Sequence, residues 1–258
     1  MPYVEHDGAE IYYETHGEGP ALVFAHGAEG NTLSWFQQVP VFKAHYCTVL
    51  YDHRGFGRSI CAPADLQPSK FGGDLLAVMD ALAIERAAVV AQSMAGWGAL
   101  QAVLAAPERI SALVLVATSG GLAPPAGSGE APVENAAPLA GRLSRFALAP
   151  GYPVRAPAMA WLFDQISCHN GQIELLASRL GANLIDPKDM AGFAVPTLVI
   201  ACGHDTFFPP SLLESVSAMI PGARFATIET AGHAPYWETP GAFNEMVLAF
   251  LESRRSRR

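Results

Sequence analysis

Charge is scarce in this chain. Only 16% of its 258 residues are Asp, Glu, Lys or Arg, and the formal net charge is −8. That balance excludes an extended basic surface, so no nucleic-acid partner is expected. Basic residues cluster only at Arg254-Arg255-Ser256-Arg257-Arg258, read as a solvated end. Cysteine is sparse too: Cys47, Cys61, Cys168 and Cys202, with no Cys-x-x-Cys pair. Such usage fits a reducing compartment and excludes a disulfide framework or a zinc cluster. No apolar run reaches membrane-spanning length, and the start Met-Pro-Tyr-Val-Glu-His has no basic-then-apolar leader. The expected address is the cytoplasm, with no membrane partner. There is no P-loop and no His-Glu-x-x-His, and Gly55-x-Gly57 lacks the third glycine and the following helix of a dinucleotide fingerprint. The expectation is therefore no metal, no organic cofactor, and a small-molecule substrate taken by a monomer or homodimer.

Apolar residues, in contrast, make up half of the chain, enough for a large core. Residues 3–16 alternate around Asp7-Gly8, a hairpin signal. Buried-type strands are predicted at Ala21–Ala25, Cys47–Tyr51, Ala87–Gln92, Ala112–Ala117, Thr197–Ala201 and Phe225–Ile228. Helices are predicted from an Asn31 or Thr32 cap to about Lys43, over 73–84, after Ser93 to Leu104, at 211–220 and at 242–252. Strands alternating with helices imply a mostly parallel, doubly wound α/β sheet, in which reactive groups gather at the carboxyl ends of the strands. Residues 119–191 break this rhythm, with two helices at about 158–167 and 172–181 and no strand. Long insertions of this kind act as lids or binding elements.

The stretch Ala87-Ala88-Val89-Val90-Ala91-Gln92-Ser93-Met94-Ala95-Gly96-Trp97 organises the rest. An apolar strand must become a helix at Ser93 with almost no loop. A turn that tight strains the central residue and needs small neighbours, which Ala91, Ala95 and Gly96 supply. The first amides of the helix then lie beneath the Ser93 hydroxyl, at the end that favours negative charge. A serine oxygen beside an anion site is what acyl transfer needs.

This arrangement resembles the nucleophile elbow of the α/β-hydrolase superfamily, Gly-x-Ser-x-Gly, with alanine at both glycine positions. The resemblance extends along the chain through His26-Gly27-Ala28, Asp52-x-Arg54-Gly55-x-Gly57-x-Ser59, Gly203-x-Asp205 and Gly232-His233-x-Pro235. It implies an α/β-hydrolase core over 1–120 and 192–258 with an N-terminal antiparallel hairpin, and a small helical cap over 121–191. The family order of Ser, acid, His points to His233 as base among the strand-end histidines 26, 53, 204 and 233. Asp205 is the carboxylate at a strand end between Ser93 and His233. The resemblance also implies an oxyanion hole from the backbone amides of Ala28 and Met94, with His26 bracing that loop. The Asp52-x-Arg54 motif is read as loop-shaping, with anion binding by Arg54 or Arg58 as the alternative. Trp97, Met159, Trp161 and Phe163 are candidate pocket residues.

The activity implied is a serine esterase or lactonase acting on a small, largely apolar substrate. Hydrolysis of a carbon–carbon bond in a diketone-type substrate, a thioesterase and cofactor-free perhydrolysis stay open on the same triad. A ligand sensor that retains the triad is the alternative from another class.

Overall fold

A computed structural model describes residues 2–28, 30–123, 144–170 and 173–255. Strands β1 (Tyr3–His6) and β2 (Ala9–His16) turn on Asp7 and Gly8, both at positive φ, as the sequence predicts. There follow β3 (Ala21–Ala25), α1 (Val39–Phe42), β4 (Cys47–Tyr51), β5 (Ile60–Cys61), α2 (Phe71–Ala81), β6 (Ala87–Gln92), α3 (Ala95–Ala105) and β7 (Ile110–Val116). Four helices come next: α4 (Ser144–Ala147), α5 (Tyr152–Arg155), α6 (Pro157–Cys168) and α7 (Ile173–Leu180). The chain closes with β8 (Thr197–Cys202), α8 (Pro210–Met219), β9 (Arg224–Ile228), α9 (Pro235–Glu238) and α10 (Pro240–Arg255).

The described residues form a nine-stranded sheet ordered β1-β2-β4-β3-β6-β7-β8-β9, with β5 paired to β2. β2 pairs antiparallel with β1, β4 and β5, and the remaining pairings are parallel. Apolar side chains alternate between the two faces. Val23, Ala25, Val89 and Ala91 join one core, and Leu22, Phe24, Ala88 and Val90 join the other. Both faces are covered by helices, which is why these strands read as continuous apolar runs. The chain leaves β3 toward β4 on one side and leaves β6 toward β7 on the other. The carboxyl ends of β3 and β6 therefore flank the switch point where such sheets hold ligands.

Three expectations need correction. The single helix predicted from 31 to 43 splits into a 3₁₀ turn at Thr32–Trp35 and the short α1. Asn31 does cap the first, accepting from the Leu33 amide at 2.9 Å, but Pro40 can only stand in the first turn of a new helix. β7 starts at Ile110 rather than Ala112. The short helices α4 and α5 fall within the stretch from Gly120 to Pro157 that the sequence left without elements. The segment 124–143 of the expected cap, Gly171, Gln172 and the end of the basic tail lie outside the described residues.

Arg54 proves to be structural. Its guanidinium holds Asp74 through two nitrogens, at 2.6 and 2.5 Å, with both side chains fully buried. It also donates to the carbonyls of Asp7 and Asp65, tying the hairpin turn to α2. Nothing of it is left for a substrate anion, so that alternative is overturned for Arg54. Breaking a buried pair strands a charge, and Arg54→Met should cost about 3–5 kcal/mol in a urea melt. The Arg54→Met/Asp74→Leu double variant should recover most of that loss.

Candidate active site

The site assembles from three loops at the carboxyl edge of the sheet. Ser93, one residue past β6, has φ of +52°, the strained turn that the small neighbours foretold. Its amide donates to the Val116 carbonyl at 2.9 Å, and its carbonyl accepts from the Gly96 amide at 2.9 Å. A side chain at Gly96 would stand 2.5 Å from Thr118 Oγ1, so glycine is required one position later than in the family pattern. Alanine at 91 and 95 is tolerated because both sit in close-packed core without positive φ.

Ser93 Oγ lies 2.8 Å from His233 Nε2, and His233 Nδ1 lies 2.9 Å from Asp205 Oδ2. The proton assignment follows: Ser93 donates to Nε2, and Nδ1–H donates to the carboxylate. All three side chains are buried. The second oxygen, Asp205 Oδ1, accepts from the amides of Phe207 and Phe208 at 2.8 and 3.1 Å. The two loops that present Asp205 and His233 are zipped together by Gly203 N to Ile228 O and His204 N to Ala231 O. Gly203 has no room for a side chain against the Glu229 backbone.

The loop after β3 comes close to Ser93 for a reason visible in its glycine. A Cβ on Gly27 would overlap Gln92 Oε1 and lie 3.0 Å from Ser93 Cβ. The turn closed by Gly30 N to Gly27 O leaves the Ala28 amide outside its hydrogen bond. Met94 opens the first turn of α3, where amides have no helical acceptor. His26 is a brace: Nδ1–H donates to the Gly27 carbonyl at 2.7 Å and Nε2 accepts from the His53 amide at 3.0 Å. Burial pushes its pKa below the ordinary histidine value, which keeps it neutral in that role. Asp52 shapes the same region, accepting from Thr32 N and Arg58 N at 2.6 and 2.8 Å. Arg58 itself lies over the Tyr12 ring at the surface.

The candidate pocket residues fare unevenly. Trp161 is 63% exposed: the α6 period turns Ala160, Phe163 and Ile166 inward and carries Trp161 to solvent. Phe163 is buried edge-to-face on Trp237, and Met159 packs half-buried into the same cluster. Trp97 sits in the core beneath Gly121. None of the four is grouped with Met94, which instead packs with Phe56, Phe71 and Leu176, with Ala28 and Leu175 against them. His169 is exposed.

Sequence reasoning passed over several neighbours of the constellation. Gln92 donates to the His233 carbonyl at 3.0 Å, and a polar residue ending a buried strand was its available signal. Phe207 and Phe208 lie against the His233 ring, with centroids 4.9 and 5.8 Å away. Asn170 joins the end of α6 to the loops after β3 and β4, through Gly30 O at 2.9 Å and Gly57 N at 3.3 Å. Neither had a motif to announce it. Among the described residues no cluster of His, Cys, Asp and Glu could hold a metal ion, and no helix is long and apolar enough to cross a membrane.

Residues 20–160 match the family model described as the alpha/beta hydrolase fold. The chain belongs to the α/β-hydrolase fold family. This hydrolase is similar to a protein of Azorhizobium caulinodans that bears the name of a carbamate hydrolase, at 29% identity over 97% of this chain and 98% of that one. Among solved structures it resembles Est816, described as an N-acyl homoserine lactone degrading enzyme, at 27% identity and TM-score 0.84, covering 96% of this chain and 100% of that one. It also resembles the enol-lactonase from Burkholderia xenovorans LB400, at 25% identity and TM-score 0.83, over 97% of this chain and 100% of that one.

The closeness of Gly27 to Ser93 is open to direct test. Gly27→Ala in this α/β hydrolase should displace the Ala28 amide and lower kcat on a chromogenic ester about 100-fold or more, as loss of an oxyanion donor does. The melting temperature should move by no more than about 8 °C. Steady-state kinetics beside a thermal melt checks both.

Proposed function

We propose that the chain is a serine acyl hydrolase that cleaves carboxylic esters or lactones of small, largely apolar substrates. Ser93 is the nucleophile, His233 the general base and then acid, and Asp205 the group that holds the imidazole tautomer. The observation carrying this reading is the continuous hydrogen-bonded line Ser93–His233–Asp205, at 2.8 and 2.9 Å, on a strained strand–helix turn. In the first half-reaction Ser93 Oγ attacks the carbonyl carbon while His233 Nε2 takes its proton. The negative oxygen is received by the amides of Ala28 and Met94, and the leaving alkoxide takes the proton back from His233. Water activated by His233 then releases the acid from Ser93.

The apolar lining supports a neutral acyl group. Met94, Phe56, Leu175 and Leu176 gather near Ala28, and Phe207 and Phe208 flank the imidazole. The two lactone-cleaving structural relatives support the same substrate class. We read residues 121–191 as a cap on a core formed by 1–120 and 192–258. Its support is the seating of α6 and α7 on the loops at the sheet edge: Asn170 on Gly30 and Gly57, and Arg179 on the Pro63 and Leu66 carbonyls, both at 2.7 Å.

The test is a panel of p-nitrophenyl esters from acetate to dodecanoate, aliphatic lactones and simple carbamates. Expected are steady multiple turnover on short-chain esters or lactones, and its abolition in Ser93→Ala. A carbamate preferred over every ester would transfer the reading to the chemistry named for the Azorhizobium relative. One stoichiometric turnover, followed by none, would favour a sensor. Leu176→Ala should lengthen the preferred acyl chain, whereas Trp161→Ala should leave the length profile unchanged. Asp205→Asn should fold normally and lose activity by about 10⁴-fold, since the imidazole then takes the wrong tautomer.

A further inference from the structure

One carboxylate near the triad has no part in the reaction just described, yet it grips the loop that carries the base. Glu238 ends the short helix α9, five residues beyond His233. Its Oε1 accepts from the Gly232 amide at 2.8 Å, and its Oε2 accepts from the Ala149 amide at 2.8 Å. Gly232 immediately precedes His233, and Ala149 lies between α4 and α5, far away in sequence. The two backbones meet with no side chain between them. A Cβ on Gly232 would stand 2.6 Å from Ala149 N and 2.7 Å from Ala147 O. Two amides therefore converge on one carboxylate, where a neutral side chain could satisfy only one of them.

We propose that Glu238 is a positioning residue for His233, its ionised carboxylate clamping the Gly232 and Ala149 amides so that the imidazole keeps its place against Ser93. The inference rests on the triad reading given above. It also implies that the geometry of the base is coupled to the entry of the α4–α7 insertion, through Ala149.

The clamp is poised to respond to pH. Burial is the main cause that lifts the Glu238 pKa from 4.5 to about 7, opposed by its two amide partners and by the Arg155 guanidinium. Facing it are Arg155 and Tyr152 of α5, His204 and Asp205 of the acid loop, and Cys202 at the end of β8. Arg155 is the one permanent cation among them. A raised carboxyl pKa means that the folded state favours the protonated form. Its contribution to stability is thus full below about 4.5 and is lost as pH rises through about 7. Activity runs the opposite way, because a protonated carboxyl offers one of the two amides only a weakly accepting hydroxyl oxygen. Clamp and stability are set against each other across that interval.

The experiment is a pH profile of kcat/KM on whichever ester the wild type turns over, for wild type, Glu238→Gln, Arg155→Gln and Ser93→Ala. The wild-type acid limb should approach a slope of about two, since both His233 and Glu238 must be deprotonated, and Glu238→Gln should reduce it to about one. Its kcat should fall about tenfold or more with KM changed by less than about twofold, as expected for misplacing a general base. Its melting temperature at pH 8.5 should equal or exceed that of wild type, which separates lost positioning from lost fold. Arg155→Gln, at an exposed position, should move the acid limb to higher pH. Wild-type kcat in Glu238→Gln, an unaltered slope, or an acid limb indifferent to Arg155→Gln overturns the clamp. Full activity in Ser93→Ala would instead overturn the triad beneath it, so the two failures are distinguishable.

Discussion

Ser93 holds a backbone conformation that residues with side chains rarely adopt, with φ at +52°. Such a residue costs about 1–3 kcal/mol and persists only where its surroundings over-determine it. Here they do. Its amide is fixed to Val116 on the neighbouring strand, and its carbonyl to Gly96 in the first turn of α3. Gly96 lets that helix press against Thr118, and β6 is buried along its whole length. Ala117, at the end of the next strand, is likewise turned to φ of +50°. The hydroxyl thus stands where strand and helix meet, at a height that neither element alone would provide.

Once that point is fixed, the other groups have little freedom. β3 is the parallel neighbour of β6, so its following loop must pass beside Ser93, and Gly27 allows the passage. β8 and β9 end two and three strands away, and their loops are zipped so that Asp205 and His233 arrive already paired. Gln92, adjacent to Ser93, reaches the His233 carbonyl and closes the circuit. The site is a consequence of sheet order and turn geometry, with few free side chains to arrange.

That dependence explains what could be read in the sequence. The parallel core was legible because strands covered on both faces show as unbroken apolar runs, such as Ala87–Gln92. The convergence of Ser93, Asp205 and His233 could be anticipated because each lies within five residues after the carboxyl end of such a strand. The facing of the α6 side chains could not, because the sequence of a helix buried on one side shows which residues are apolar, not which way they turn. Trp161 and Phe163 differ by two positions on α6, and one faces solvent while the other meets Trp237. Leu176, apolar in the second of the two predicted helices, joins Met94. Glu238 and Asn170 act through backbone groups distant in sequence, a relation that no local pattern records.

The central claim is that this strained turn presents a reactive serine. It is tested most directly by mass spectrometry of the protein after reaction with a fluorophosphonate. The account predicts a single adduct, on the peptide containing Ser93, and none in His233→Ala. An adduct on another residue, or no adduct at any pH between about 6 and 9, the range over which a neutral imidazole can act as base, would contradict it.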